Sequence, residues 1–269
     1  MSDPPLVPSA QIARRVRQAE CAYTASRLGV LERLPGNPVG VAWRRVDEGF
    51  AFRARHLPIA SFNRVVGLTD AEAHAVPELI AWFGEARVRG RFEIAPDEAA
   101  EAVRAALTAA GWAHTGFHAT LYGVPQAAPA AASGVSVEIV DAATLEAFLD
   151  AYAAGWDVAE REGFKANVRG WLGQSGWTLY LGRLDGRPAG GAILYVSDGV
   201  GYFADSAVDP GSRGKGVHGA LLRRRGSDAL AAGCDLICAQ AAFLSTSHRN
   251  MVRAGLSLLY AQAIWTAAA

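Results

Sequence analysis

The stretch from Ser206 to Leu222, SAVDPGSRGKGVHGALL, decides how this 269-residue chain folds and what it can bind. A strand pattern, Gly201–Val208, runs into it, Pro210 and Gly211 turn the chain, and glycines at 214, 216 and 219 open a helix. Glycine takes positive φ readily and lets a ligand approach with no Cβ in the way. Successive N–H groups at a helix N-terminus lack an intrahelical partner and lie at the positive end of the macrodipole, a geometry that binds phosphate oxygens. Arg213 and Lys215 add charge beside them.

Three phosphate-binding loops compete for this pattern. Gly214-x-Gly216-x-x-Gly219 formally matches a dinucleotide fingerprint, but that fold needs a long doubly wound sheet after the loop, and only 50 residues follow Gly219. Its acidic partner would be Asp235, which starts a strand where it should end one. A Walker A loop requires Gly-Lys-Ser/Thr, and Lys215 is followed by Gly216. Neither fits.

The third does. Ala207-Val-x-Pro210 followed by Arg213-Gly-Lys-Gly216-Val-His-Gly-Ala-Leu-Leu222 resembles the pyrophosphate loop of the GNAT acyltransferases, in which Arg/Gln-x-x-Gly-x-Gly/Ala opens the central helix. Downstream, Gly233-Cys-Asp-Leu236 resembles the family's following strand, and Ser247-His-Arg-Asn250 with Ala254-Gly255-Leu256 resembles its "Gly-Phe" region. The chain particularly resembles a bacterial tandem subgroup whose C-terminal half carries a Ser-x-Arg-Asn segment. About 60 residues match closely, and by element order the likeness covers Val135–Trp265.

Working outward, Val124–Gly134, VPQAAPAAASG, reads as a linker. Before it, Val39–Leu57 is a strand pair around Asp47-Glu48-Gly49, Phe62–Leu68 and Arg91–Ala95 are strands, and Ala71–Ala86 is an amphipathic helix. Pro96–Gly111 is helical, with Ala99/Ala100, Val103, Ala106/Leu107 and Ala110 at three-four spacing, and Trp112–Tyr122 is a strand. After it come the strand Val135–Val140, helices Ala142–Ala154 and Ala166–Gly173, and a hairpin, Trp177–Leu184 and Pro188–Val196, around Asp185-Gly186. A helix to Ala232, the strand Asp235–Gln240, a helix around Ser247–Ala254 and the strand Ser257–Trp265 finish the chain. Both halves end strand, helix, strand, helix, strand, which suggests two copies of one fold. The expected class is α/β, with a mixed sheet in two tandem GNAT-like domains, each a mostly antiparallel splayed sheet flanked by helices. The expected division is a degenerate N-terminal copy at 1–125, a linker at 126–134 and an acyltransferase domain at 135–269. In the N-terminal copy the equivalent junction, Phe62 to Asp70, has one glycine and no phosphate cradle.

The resemblance implies acetyl-CoA or coenzyme A as cofactor. Ala207 and Val208 would hydrogen-bond the pantetheine arm, and the amides of Arg213, Gly214, Lys215, Gly216, Val217, His218 and Gly219 would hold the pyrophosphate. Ser247 and Asn250 would lie along the arm. An amine acceptor would attack directly, without a covalent enzyme intermediate, helped by a strand amide near Val208. His218 stands where the family usually has Gly or Ala. Met251 stands where a Tyr usually protonates the leaving thiolate, and Met cannot donate a proton. Tyr202 and Tyr260 are substitute acids, against a simpler reading as sheet aromatics. Asp205, a charge in mid-strand facing the cleft region, is the leading candidate base; Glu160 and Glu162 are weaker ones, and His248 is another titratable group nearby. Arg223-Arg-Arg225 cannot form one patch on a helix, so at most one is assigned to the ribose 3′-phosphate and the others to solvated surface.

Bulk composition agrees. Lys+Arg and Asp+Glu both number 26, so there is no basic excess for nucleic acid, and no stretch reaches the ~18 apolar residues of a membrane span. The N-terminal MSDPPLVPSAQIARRVRQ is no signal peptide. Cys21, Cys234 and Cys238 are an odd set without a paired framework, which suggests a reducing compartment, the cytoplasm. Cys234 and Cys238 read as packed strand residues, and no metal site is expected. Expected partners are an acyl-CoA and an amine acceptor, with no nucleic acid and no membrane; a homodimer is compatible. The expected activity is N-acetyltransfer, or short-acyl transfer, to a primary amine of a small molecule or peptide. The rivals are a non-catalytic acyl-CoA-binding sensor, motivated by Met251, and a scaffold with an empty loop.

Overall fold

The computed structural model describes residues 6–47, 49–57, 59, 62–96, 101–127, 134–158 and 160–268. The first half contains α1 (Ala10–Glu32), β1 (Val41–Val46), β2 (Gly49–Ala54), β3 (Arg64–Val66), a 3-10 turn at Asp70–Ala75, α2 (Val76–Glu85), β4 (Arg91–Ile94), α3 (Glu101–Ala109) and β5 (Trp112–Gly123). The second contains β6 (Val135–Ile139), α4 (Leu145–Trp156), α5 (Arg161–Arg169), β7 (Trp177–Leu184), β8 (Arg187–Ser197), β9 (Val200–Val208), α6 (Val217–Ala231), β10 (Leu236–Ala242), α7 (Thr246–Arg253) and β11 (Ser257–Ala267). The α/β class and the repeated strand–helix–strand–helix–strand order are those the sequence indicates. Glu48, Ala99, Ala100 and linker residues 128–133 lie outside the described residues. None of the described helices is long and apolar enough to cross a membrane.

The chain forms two compact units. The C-terminal unit holds residues up to 8, 121–240 and 244–258; the N-terminal unit holds 9–120, 241–243 and 259 onward. The units are therefore not two consecutive stretches. The reason is β11, which pairs antiparallel with β4 (Ala263↔Ile94, Ile264↔Glu93, Trp265↔Phe92) and so belongs to the N-terminal sheet.

In the C-terminal unit the strand order is β10-β9-β8-β7-β6. Asp185 (φ 48°) and Gly186 (φ 77°) make the tight turn joining β7 to β8. Gly182 of β7 faces Val217 and Leu221 of α6, whereas Gly191, next to Gly182's register partner Gly190, faces Phe148 and Tyr152 of α4. Side chains alternate across a strand, so α4 and α6 cover opposite faces of this sheet. The α5 helix begins earlier than its apolar pattern suggested, because the Glu160 carboxylate caps it, accepting from Gly163 N–H at 2.7 Å.

In the N-terminal unit the order is β1-β2-β3-β4-β11-β5. One core cluster gathers Val65, Leu79, Phe83, Phe92, Val103, Leu107 and Trp112; another gathers Leu28, Leu31, Val41, Phe52 and Val66. The 23-residue α1 was not foreseen from sequence. Ser9 caps it, and its buried positions mix Val16, Ala19, Leu28 and Leu31 with Glu20 and Thr24. Those polar groups are buried because Arg64 of β3 reaches them: its Nη1 donates to Glu20 (2.7 Å) and Glu93 (2.8 Å), and its Nη2 donates to Thr24 (2.8 Å). Burial pushes the Glu93 carboxyl upward, but Arg64 and Arg91 outweigh it and hold the group below the usual carboxylate range.

Candidate functional site

The loop between β9 and α6 is built as its glycines require. A 3-10 turn at Pro210–Ser212 leaves β9, and Gly214 (φ 77°) and Gly216 (φ 88°) carry the chain into α6. A Cβ at either glycine would be strained by that φ, yet would meet nothing within 4 Å, so the space beside them is open. Gly216 is the N-cap of α6 and has no side chain to cap it. Among the described residues, none of the amides from Gly214 to Gly219 donates to another protein atom; the ladder starts where Ala220 N–H donates to Gly216 O at 3.0 Å. Six consecutive N–H groups are thus left for an external acceptor. Arg213 staples the loop, with Nε on Val208 O and Nη2 on Gly155 O, both 3.1 Å. Lys215 turns back onto Gly211 O at 3.0 Å.

These amides open into a cavity of about 810 Å³. Ser206, Ala207 and Val208 of β9, Gly155 and Trp156 of α4, Arg223 of α6, and Thr246, Ser247, Asn250, Arg253 and Ala254 around α7 complete its wall. All belong to the C-terminal unit. Among the described lining residues there are arginines at 213, 223 and 253 and no carboxylate. The N-termini of α6 and α7 contribute to the same wall, so its charged and dipolar groups favour an anion such as a diphosphate.

The β9 edge is open as well. β9 and β10 pair in parallel from Val200↔Leu236 to Phe203↔Ala239 and then part. On the other side Asp209 N–H donates to Ala189 O at 2.9 Å, which sets the phase of the β8–β9 ladder. Counting back by the antiparallel alternation, Ala207 bonds to β8 while the backbone groups of Ser206 and Val208 point away from it, the Val208 carbonyl being taken by Arg213 Nε. Ser206, which the sequence did not single out, thus shares the outward backbone orientation of Val208, and Ala207 does not. The Ser206 Oγ is buried with no hydrogen-bond partner among the described residues. Gly155 permits the close approach of α4: a Cβ there would lie 2.7 Å from Ala207 Cβ and 2.9 Å from Val208 N.

His218 lines the cavity, and Asn250 Nδ2 donates to its Nδ1 at 3.1 Å. Asn250 is held in that orientation because its Oδ1 accepts from Arg253 Nη1 at 2.8 Å. Burial, aided by the Arg225 charge, pushes the imidazole down to about 4, so the ring is neutral at pH 7, with Nδ1 accepting and Nε2–H donating. It is a hydrogen-bond donor, and no base at that nitrogen.

The expected acid–base residues do not line the cavity. Tyr202 O–H donates to Gln240 Oε1 at 3.4 Å, and Tyr260 belongs to the N-terminal unit. Asp205 acts on Arg225 electrostatically, without an ion pair between them. Glu160 caps α5, Glu162 pairs with Lys165 at 3.2 Å, and His248 Nδ1 accepts from Leu244 N–H at 2.9 Å. Met251 is buried. Of the arginine run, Arg224 pairs with Asp228 at 3.0 Å and only Arg223 reaches the cavity. Arg225 corrects the surface assignment: it is fully buried, because backbone carbonyls receive its guanidinium. The other expected cofactor contacts line the cavity except Lys215, and the Arg213 amide, expected on the pyrophosphate, instead donates to Pro210 O at 3.4 Å because it closes the 3-10 turn.

A glycine-opened helix start beside a splayed strand edge is the arrangement expected from the resemblance of the loop to the GNAT acyltransferases. Residues 143–248 match the family model of the acetyltransferase (GNAT) family, which supports acyl transfer as the general reaction class. A GCN5-related N-acetyltransferase from Kribbella flavida is similar in structure, at a TM-score of 0.66 and 15% identity over 93% of this chain and 96% of that one. A tandem GNAT protein from the clavulanic acid biosynthesis pathway superposes at 0.60, with 15% identity over 98% and 97%. A GCN5-related N-acetyltransferase from Sphaerobacter thermophilus gives 0.58, with 15% identity over 97% and 93%. The chain thus has the tandem GNAT fold. No curated protein matches it in sequence.

Proposed function

We propose that the C-terminal unit binds an acyl-CoA, acetyl-CoA first among them, and transfers the acyl group to a primary amine of a small molecule or peptide. The observation that carries this is the run of unpartnered amides from Gly214 to Gly219 facing the cavity. When bound, the cofactor supplies an activated thioester. The loop amides and the His218 Nε2–H hold its diphosphate, and Arg223 and Arg253 neutralise further phosphate charge. The Ser206 and Val208 backbone groups align the pantetheine arm as an added strand along the open β9 edge. In such a complex the acceptor nitrogen would form the amide bond, CoA would leave as its thiolate and take a proton from water, and a strand N–H on that edge would receive the charge developing on the acyl oxygen. With no carboxylate among the described lining residues, the amine proton leaves to water, so the rate follows the deprotonated fraction of the acceptor.

Free-thiol release from acetyl-CoA across an amine panel, alongside calorimetry with CoA, tests this. Micromolar binding with turnover on at least one amine is expected. Met251 in the usual proton donor's place favours the sensor alternative, for which tight binding without turnover on any amine would speak.

A further inference from the structure

Arg225 of α6 is fully buried. Its Nη1 donates to Ile193 O at 3.1 Å and to Ala204 O at 3.0 Å, its Nε donates to Leu221 O at 3.2 Å, and its guanidinium lies 4.7 Å from the Phe203 ring centre. Nη2 is buried with no hydrogen-bond partner, and no carboxylate comes within ion-pair distance among the described residues. An unpaired buried cation is costly, and a Leu or Met here would avoid that desolvation penalty. Packing alone is therefore no account of an arginine at this position.

Ile193 and Ala204 mark the register shift of the β8–β9 ladder, where β9 carries one extra residue, Asp205. Their two carbonyls converge on one guanidinium nitrogen. Because the peptide is planar and trans, turning the Ala204 carbonyl onto Arg225 turns the Asp205 N–H the opposite way and fixes the step at which the strand changes phase. Immediately beyond that step come Ser206 and Val208, whose backbone groups point away from β8, and the unsatisfied Ser206 Oγ.

We propose that Arg225 is a positioning residue for acyl transfer: it locks the β9 bulge in the phase that presents the Ser206 N–H and Oγ to an acyl carbonyl, and it places a fixed positive charge behind them. This rests on the acyl-CoA assignment above. Burial lowers the guanidinium only to about 10, so it is cationic throughout the physiological range, and its charge is already felt at His218 on the cavity wall.

The test compares wild type, Arg225→Met and Arg225→Lys for CoA affinity by calorimetry and for the carbonyl stretch of bound ¹³C-acetyl-CoA by difference infrared spectroscopy. In wild type the acyl band should move to lower frequency on binding. Arg225→Met should bind CoA within about threefold of wild type but lose most of that shift, and Arg225→Lys should recover part of it. A wild-type band position in folded Arg225→Met overturns the proposal, as does equal loss of CoA itself, which would make Arg225 a support for the phosphate loop. Should Arg225→Met fail to fold, Ser206→Ala serves: its band must lose part of the shift, and an unchanged band overturns the proposal. Failure of wild type to bind CoA overturns the cofactor assignment itself.

Discussion

The two units build the same strand–turn–helix–strand segment and finish it in opposite ways. In the C-terminal unit the β9–β10 register runs over four positions, from Val200↔Leu236 to Phe203↔Ala239, and does not continue along the rest of β9. In the N-terminal unit β3 and β4 pair over every residue of β3, from Arg64↔Arg91 to Val66↔Glu93. The helix starts differ likewise. After β3, Thr69 N–H and Oγ1 both donate to Glu72 Oε2 at 2.7 Å, closing a capping box. After β9, Gly216 offers no side chain and the amides stay free. In the N-terminal unit a carboxylate occupies the helix start, and Arg64 ties Glu20 to Glu93 across β3 and β4. Element order sets the fold; who satisfies the backbone amides decides whether a site exists.

The largest effect should come from breaking the closed unit. Arg64→Met would leave Glu20 and Glu93 buried with a counter-charge removed, and should cost about 3–5 kcal/mol in chemical denaturation; a loss under about 1 kcal/mol would mean the network is not what holds β3 and β4 to α1. Converting the open unit toward the closed one comes next. Gly216→Asp should weaken CoA binding on the order of 100-fold, by setting an anion at the helix start, while costing only about 1–2 kcal/mol of stability for its left-handed φ. Undiminished affinity would remove the amides from the account.

Gly155→Ala sharpens the comparison at the open edge. The added methyl collides with the Ala207 and Val208 backbone, so about 1–3 kcal/mol of overpacking is expected, with CoA affinity down roughly tenfold as the Arg213 staple on Gly155 O is displaced. Calorimetry and thermal melts read both. The smallest effect concerns pH. The His218 imidazole sits at about 4, below its ordinary value, so the unfolded chain binds a proton that the folded one refuses. Its contribution is full above an unfolded pKa of about 6.5 and is lost as pH falls toward 4, on the order of 2 kcal/mol after allowing for partial exposure. Burial also lowers His118 in the N-terminal unit. The difference between wild-type and His218→Ala stability curves therefore isolates the site histidine, and it should open only in that acid window.

Much of this was legible because it is local. The glycines of Gly214–Gly219, the Asp185-Gly186 turn and the strand–helix alternation are chemistry written within a few residues. What escaped is what distant partners decide. The α1 pattern is blurred by Glu20 and Thr24, whose burial depends on Arg64, 44 and 40 positions away. Arg225 looked like one of three surface arginines because the carbonyls that receive it lie on β8 and β9. The role of Ser206 depends on a ladder phase set by Asp209 and Ala189.

Amide-resolved NMR of ¹⁵N-labelled protein titrated with CoA and, separately, with pantetheine tests the central claim most directly. The amides of Gly214, Gly216 and Gly219 should move downfield and saturate with CoA, and stay in place with pantetheine, which carries no diphosphate. Resonances at 214–219 that ignore CoA, while binding is seen elsewhere or not at all, would contradict a phosphate-holding loop.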